Sequence, residues 1–397
     1  MMSVWSSLVG QDAAVAKLSE AAASARAIVA SRGSGRASDE ARSMSHAWLI
    51  TGPPGSGRSV AARAFAAALQ CTGATPGCGQ CPGCRTTMGR TNADVLFAAT
   101  ETSIINVETA RSLVLQAQSS PSQGLWRVIV VEDADRLGES GANALLKAIE
   151  EPPEHTVWLL CAPSPEDMIA TIRSRCRHLG LRIPTANAVA DLLVREGVAT
   201  PEVALEAARA AQSHIGLARA LARDPQMRER RRNIITAPAS VRSVGEAVMA
   251  ADRLLETAKA QADAQVSERN AREKAELMRQ LGMDEGESAT KASRTMIRQL
   301  EEDQKRRSKR ALTDAIDRAL IDLLAIYRDV LMVQVGGDGE LINTDLADLV
   351  SQIARDSTPR QTLARVDHIE TARKRLVSNG NPMLVLEDMA ISLRPQA

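Results

Sequence analysis

Between residues 46 and 179 the hydrophobic period of the chain changes repeatedly. His46–Thr51, Asp94–Thr100, Trp126–Val131 and Thr156–Ala162 are short, mostly apolar runs of strand length. The stretches between them space their apolar residues three and four apart. Ser59–Leu69 reads as a helix, as does Ala110, Leu113, Val114 and Ala117 behind a capping Asn106. Ala142, Leu145, Leu146 and Ile149 mark a helix over Glu139–Glu151, stopped by Pro152-Pro153. Pro165-Glu166-Asp167 opens a further one. Strands alternating with helices predict an α/β fold, a parallel sheet with helices on both faces. Ahead of it, Ala13–Ala30 predicts a helix, and 31–45, rich in Ser, Gly, Arg and acids, an exposed mobile loop.

Beyond 180 only the helical period remains. Short helices are expected over 186–196, 201–211 and 216–221, and residues 224–310 are charged and mostly helical. That region holds two basic clusters, Arg228–Arg232 and Lys305–Arg310, and a break at Gly282–Ser288; solvated helix faces are the default reading for such runs. Leu312, Ile316, Leu320, Leu323, Tyr327 and Val330 form one stripe, which suits core packing, and Asn381-Pro382 starts the last helix.

Composition sharpens this division. At 397 residues the chain is long enough for two or three domains. Every Trp and Phe precedes residue 159, leaving Tyr327 as the one aromatic of the helical part. A net charge of +1 argues against a globally basic nucleic-acid binder. Met1–Ser7 lacks the basic start and apolar core of a signal peptide, and no apolar run reaches membrane-spanning length, so a cytoplasmic protein is expected.

Three clusters carry candidate chemistry. Trp48-Leu49-Ile50-Thr51 runs into Gly52-Pro53-Pro54-Gly55-Ser56-Gly57-Arg58-Ser59 and then into helix. Strand, glycine-rich loop and helix make a phosphate-binding loop, whose N–H groups and helix dipole form an anion nest. Ser59 stands where a hydroxyl would hold Mg²⁺, and Arg58 stands where the usual pattern has lysine. A glycine turn that binds nothing is the competing reading. Second, Cys71, Cys78, Cys81 and Cys84 follow C-x6-C-x2-C-x2-C with glycines between them, the pattern of a structural Zn²⁺ site; free thiols and disulfides are the weaker readings. Third, Glu132-Asp133 ends the strand over 126–131, at the edge where ligands sit in open α/β sheets, though a solvated turn is also possible there.

These motifs resemble the bacterial DNA polymerase III clamp-loader AAA+ family, and within it the delta-prime subunits most. Leu8-Val9-Gly10-Gln11 is similar to the family's entry motif near the adenine. Cys71 to Cys84 is similar to its zinc insertion, with a different first gap. Asn143-Ala144-Leu145-Leu146-Lys147-Ala148-Ile149-Glu150-Glu151-Pro152-Pro153, Ser174-Arg175-Cys176 and Asn379–Glu387 match further signatures, so the likeness is dense over 4–223 and thinner over 224–375. The resemblance implies a nucleotide-binding AAA+ domain over 1–180, with the zinc module at about 71–84. It also implies a helical lid over 181–226 and a linker and collar over 227–397. It places the family's lid arginine on Arg219 and its trans-acting arginine finger on Arg175.

The departures indicate which subunit to expect. Arg58 replaces the lysine, Glu132-Asp133 reverses the Asp-Glu order of hydrolysing subunits, and Ala162-Pro163 replaces hydroxyl residues that sense the γ-phosphate. A carboxylate misplaced by about 1 Å can lose roughly a hundredfold in rate. The expectation is a delta-prime-like subunit whose own ATP/Mg²⁺ site is weak. It would supply Arg175 to a neighbour within a ring of gamma/tau and delta subunits, and help load a sliding clamp on primer-template DNA, with no membrane partner. The alternatives are an ATP-hydrolysing motor subunit of the same loader and a zinc-dependent DNA-binding protein with a vestigial nucleotide site.

Overall fold

The computed structural model describes residues 3–31, 43–98, 105–281 and 291–394. Most of the loop expected over 31–45, the end of the strand expected over 94–100 and all of the break at Gly282–Ser288 lie outside the described residues. The chain divides into two compact units, Met1–Arg219 and Ala220–Ala397.

In chain order the first unit runs α1 (Asp12–Ala30), β1 (Ala47–Thr51), α2 (Arg58–Leu69), α3 (Pro82–Met88), β2 (Val95–Ala98) and α4 (Val107–Ala117). It continues with β3 (Arg127–Val131), α5 (Glu139–Glu150), β4 (Thr156–Ala162), α6 (Ala170–Arg173), β5 (Arg177–Gly180), α7 (Ala186–Arg195) and α8 (Pro201–Ala210). The division falls inside α9 (Ile215–Arg223). The five strands lie in the order β2-β3-β4-β1-β5, every neighbouring pair parallel. Strand alternation sorts the core into two layers. Trp48, Ile50, Val128, Val130, Leu159 and Cys161 pack with α1 and α2 on one face. Leu49, Ile129, Val131, Trp158 and Leu160 pack with α4 and α5 on the other. Both faces are covered, which is why β1 and β4 are buried at every position and apolar except at Thr51 and Thr156.

Besides α3, a helix not expected from the sequence, two elements differ from expectation. Pro165–Asp167 forms only a 3-10 turn, and α6 starts separately at Ala170. The Ser164–Asp167 capping box closes that turn at once, and Met168 already has extended backbone. β5 is absent from the sequence-based expectation, because Leu179 is its only buried residue and Arg177, His178 and Gly180 are exposed. An edge strand covered on one side lacks the apolar run that reveals the other four.

The second unit is all helical: α10 (Pro225–Ser240), α11 (Val244–Gln280), α12 (Lys291–Gln334), α13 (Ala347–Asp356), α14 (Pro359–Val377) and α15 (Pro382–Ser392). The expected stripe supplies its core, with Ile316, Leu320, Leu323, Tyr327 and Val330 buried against Ile369, Leu386 and Met389. The basic cluster 228–232 is not wholly solvated. Arg231 is buried, donating to Asp322 at 3.0 Å and to the Asn343 side chain at 2.6 Å. Asn343 in turn donates to the buried Asp329 at 2.9 Å.

Candidate nucleotide and metal sites

A parallel sheet puts every strand's C-terminal end on one edge, so the loop after β1 and the carboxylates after β3 share that edge across β4. Gly55 and Gly57 both have φ of +90°, which only glycine adopts without strain, and Gly57 is the N-cap of α2. Arg58 and Ser59 therefore open α2, whose first N–H groups have no helical acceptor. Gly52 is closely enclosed: a Cβ there would meet Ser56 Oγ at 2.5 Å and Leu181 O at 2.9 Å. At Gly55 a Cβ would meet His214 Cα at 2.9 Å, so the residue just before α9 rests on the loop. Gln11 is buried and ties the N-terminal motif to the loop, donating to Ser56 O at 3.3 Å and Arg182 O at 2.6 Å. Two polar atoms in the loop, Ser56 Oγ and Arg58 Nη1, are buried without a hydrogen-bond partner. Buried orphan donors beside a helix N-terminus fit a phosphate group.

Around that loop the charges are mixed. Burial raises the Asp135 carboxyl above its ordinary value and Asp133 adds to this, while Arg136 and Arg58 oppose it. Glu132 is paired with Arg90, which donates to its Oε1 at 2.5 Å. Burial and the nearby Arg90 lower Arg63, partly offset by Glu132, which places Arg63 in the field of the same pair.

The two arginines inferred from resemblance lie elsewhere. Arg175 follows α6 and keeps 40% of its side chain exposed; it is paired with Glu150 and donates to Thr171 O at 2.9 Å. Arg219 forms a bidentate pair with Glu196, both contacts at 2.9 Å.

The four cysteines come together: their sulfur atoms all lie within 4.8 Å of one another. Cys81 N and Cys84 N each donate to the sulfur three residues earlier at 3.4 Å. These N–H···S contacts stabilise thiolate. Burial works to raise Cys81, but contacts with Cys84 and Thr72 outweigh it and bring the thiol to about 6. Cys71 is also lowered, against burial, chiefly by its neighbours Cys78 and Gly73, whereas burial drives Cys84 far up. Negative charge on some thiols that drives up the pKa of another is the electrostatics of a cluster that a cation would relieve. The donor set fits a metal ion, and Cys71 and Cys84 are buried in the main core. Arg26 of α1 braces the module, donating to Cys71 O and Ala74 O, both at 2.8 Å.

Arg90 and Asp94 carry no sequence signal. Asp94 is fully buried and accepts from Ser122 N, Gln123 N and Gly124 N at 2.6 to 2.8 Å. Neither residue sits in a motif, and their partners lie about 30 to 40 positions away.

The parallel sheet, the phosphate-type loop and the edge carboxylates are those of a P-loop α/β protein. Residues 36–185 match the family model for the DNA polymerase III delta subunit, and 291–394 match the model for that subunit's C-terminal part. The gamma/tau subunit of Mycobacterium tuberculosis is 35% identical over 162 residues, 39% of this chain and 28% of the relative. The delta' subunit of Pseudomonas aeruginosa is 34% identical over 165 residues, 41% of this chain and 50% of the relative. A solved DNA polymerase III gamma subunit-related protein of Thermotoga maritima is 16% identical over 88% of this chain and 94% of its own, at a TM-score of 0.40. The chain belongs to the DNA polymerase III clamp-loader family, with relatives among both the gamma/tau and the delta' subunits. It spans half or less of the length of these curated relatives. No helix among the described residues is long and apolar enough to cross a membrane.

Proposed function

We propose that this chain is a delta-prime-like subunit of the DNA polymerase III clamp loader that hydrolyses little ATP itself and lends Arg175 to a neighbouring subunit's ATP. The observation that carries the reading is the setting of Arg175. Its guanidinium is half-exposed on the surface of the first unit, yet anchored by Glu150 and Thr171 O, so it is held in place with donors left over. An arginine offered in trans supplies transition-state charge only once the neighbour has docked, which couples hydrolysis to assembly. The chain's own loop has Arg58 in the lysine place, so ATP/Mg²⁺ is bound weakly there or belongs mainly to the neighbour. In this reading 1–180 is the AAA+ domain, 181–226 the lid and 227–397 the linker and collar. Cys71, Cys78, Cys81 and Cys84 hold one structural Zn²⁺. The partners are gamma/tau and delta subunits in a cytoplasmic ring, with the sliding clamp and primer-template DNA met through the assembly.

The test is Arg175→Ala in a loader reconstituted with its partner subunits. ATP turnover at the neighbouring site should fall about tenfold or more. A second reading, an ATP-hydrolysing motor subunit, is favoured by the gamma/tau relatives, which are 35–38% identical to this chain. It predicts substantial turnover by the isolated chain that disappears in Glu132→Ala.

A further inference from the structure

We infer that Arg90 is a positioning residue that keeps Glu132 out of nucleotide chemistry; the inference rests on reading 52–59 as a phosphate-binding loop. Glu132 follows β3 at the edge where a carboxylate would meet Mg²⁺ or the attacking water. Its side chain is only 13% exposed, and Arg90 Nη2 takes Oε1 at 2.5 Å. The Arg90 guanidinium also lies over the Phe97 ring, 5.0 Å from its centroid. Phe97 is on β2, paired with Val130 two residues before Glu132. Arg90 is therefore held between the ring below and the carboxylate at the strand end, a cation–π contact and a charge-assisted bond acting together. Arg63 of α2 adds a second positive charge to the same neighbourhood. A divalent cation approaching Glu132 would meet the Arg90 guanidinium already bonded to it, so the carboxylate is a poor Mg²⁺ ligand.

Backbone geometry sets where Arg90 stands. α3 carries Cys84 and has Cys81 as its N-cap. It ends at Gly89, and Arg90 follows at φ +59°, a conformation uncommon outside glycine. Arg90 N donates to Thr87 O at 3.0 Å and Thr91 N to Thr86 O at 2.8 Å, closing the helix end. The cysteine module thus fixes the turn that delivers Arg90 to the carboxylate. This is a second brake on the site, independent of Arg58, and it comes from a residue outside the nucleotide motifs.

The test uses the full chain, a fluorescent ATP analogue, and excess Mg²⁺ against EDTA. The wild type should bind the analogue about equally in both. In Arg90→Gln, Mg²⁺ should tighten binding by about fivefold or more, and Arg90→Lys, which keeps the charge, should stay close to wild type. Thermal melting checks that each variant is folded, and Arg90→Met is read in place of Arg90→Gln if the latter fails. The inference is overturned if Arg90→Gln is as insensitive to Mg²⁺ as wild type, or if wild type already responds. It is also overturned if Arg90→Lys behaves like Arg90→Gln, or if no variant binds the analogue. None of these outcomes bears on Arg175, which is read separately in the assembled loader.

Discussion

The cysteine module and the carboxylate edge lie in the same unit, and they are organised by opposite means. In the module, four residues within a 14-position window meet because glycines and a short helix turn the chain back on itself. At the edge, Glu132 meets a partner 42 positions away that no motif contains. Local spacing settles which groups converge when the loop between them is short. It says nothing of which charge a strand end will find across the sheet. The four cysteines therefore converge as their spacing predicts, whereas a carboxylate that reads as a metal ligand is already paired with a guanidinium.

The contrast can be tested, starting where the largest effect is expected. Replacing Cys81 and Cys84 by Ser should reduce bound zinc from about one per chain to none and destabilise the first unit strongly, since structural zinc sites contribute on the order of 10 kcal/mol to folding. Metal analysis with thermal melting reads both effects; an intact protein without metal would mean that the thiols pack as apolar groups. Next comes Arg231→Ala, which leaves Asp322 and Asn343 without their buried donor and should cost the helical unit roughly 3–5 kcal/mol in denaturant unfolding. A loss below about 1 kcal/mol would return the whole basic cluster to the solvent-facing role read from sequence.

Asp94→Asn tests a long-range partner in the first unit and should cost about 2–3 kcal/mol near neutrality. Burial works to raise the Asp94 carboxyl, but the N–H groups of Ser122, Gln123 and Gly124 and the Ser122 hydroxyl outweigh it and hold it below its ordinary value. A depressed carboxylate stabilises above its unfolded pKa, and that contribution is lost as pH falls through the folded value. The gap between wild type and variant should therefore narrow below about pH 4; a gap constant across that range would contradict the assignment. The smallest effect is expected from Arg219→Ala, whose half-exposed pair with Glu196 should contribute under about 1 kcal/mol. A larger loss would mark Arg219 as structural.

Much of the fold is legible in the chain because burial on both sides demands unbroken apolar strands: β1, β3 and β4 stand out as such runs. β5 does not, since only Leu179 faces the core. The helical stripe through Ile316, Leu320 and Tyr327 is likewise readable from spacing, whereas the fate of Arg231 is not. A buried arginine and a solvated one look alike in sequence, and only the packing of α10 against α12 separates them. Among candidate site residues, the loop glycines and cysteines announce themselves by spacing. Arg90 and Asp94 depend on turns whose partners are distant, so local pattern holds no trace of them.

Under the proposed function, catalytic charge is offered outward by Arg175 rather than into the chain's own site. The most direct test is steady-state ATP turnover, measured for the isolated chain and for the reconstituted loader carrying either the wild-type subunit or its Arg175→Ala variant. Near-background turnover by the isolated chain is expected, together with a drop of about tenfold or more at the neighbouring site in the variant loader. Vigorous hydrolysis by the chain alone, or a loader indifferent to the substitution, would contradict it.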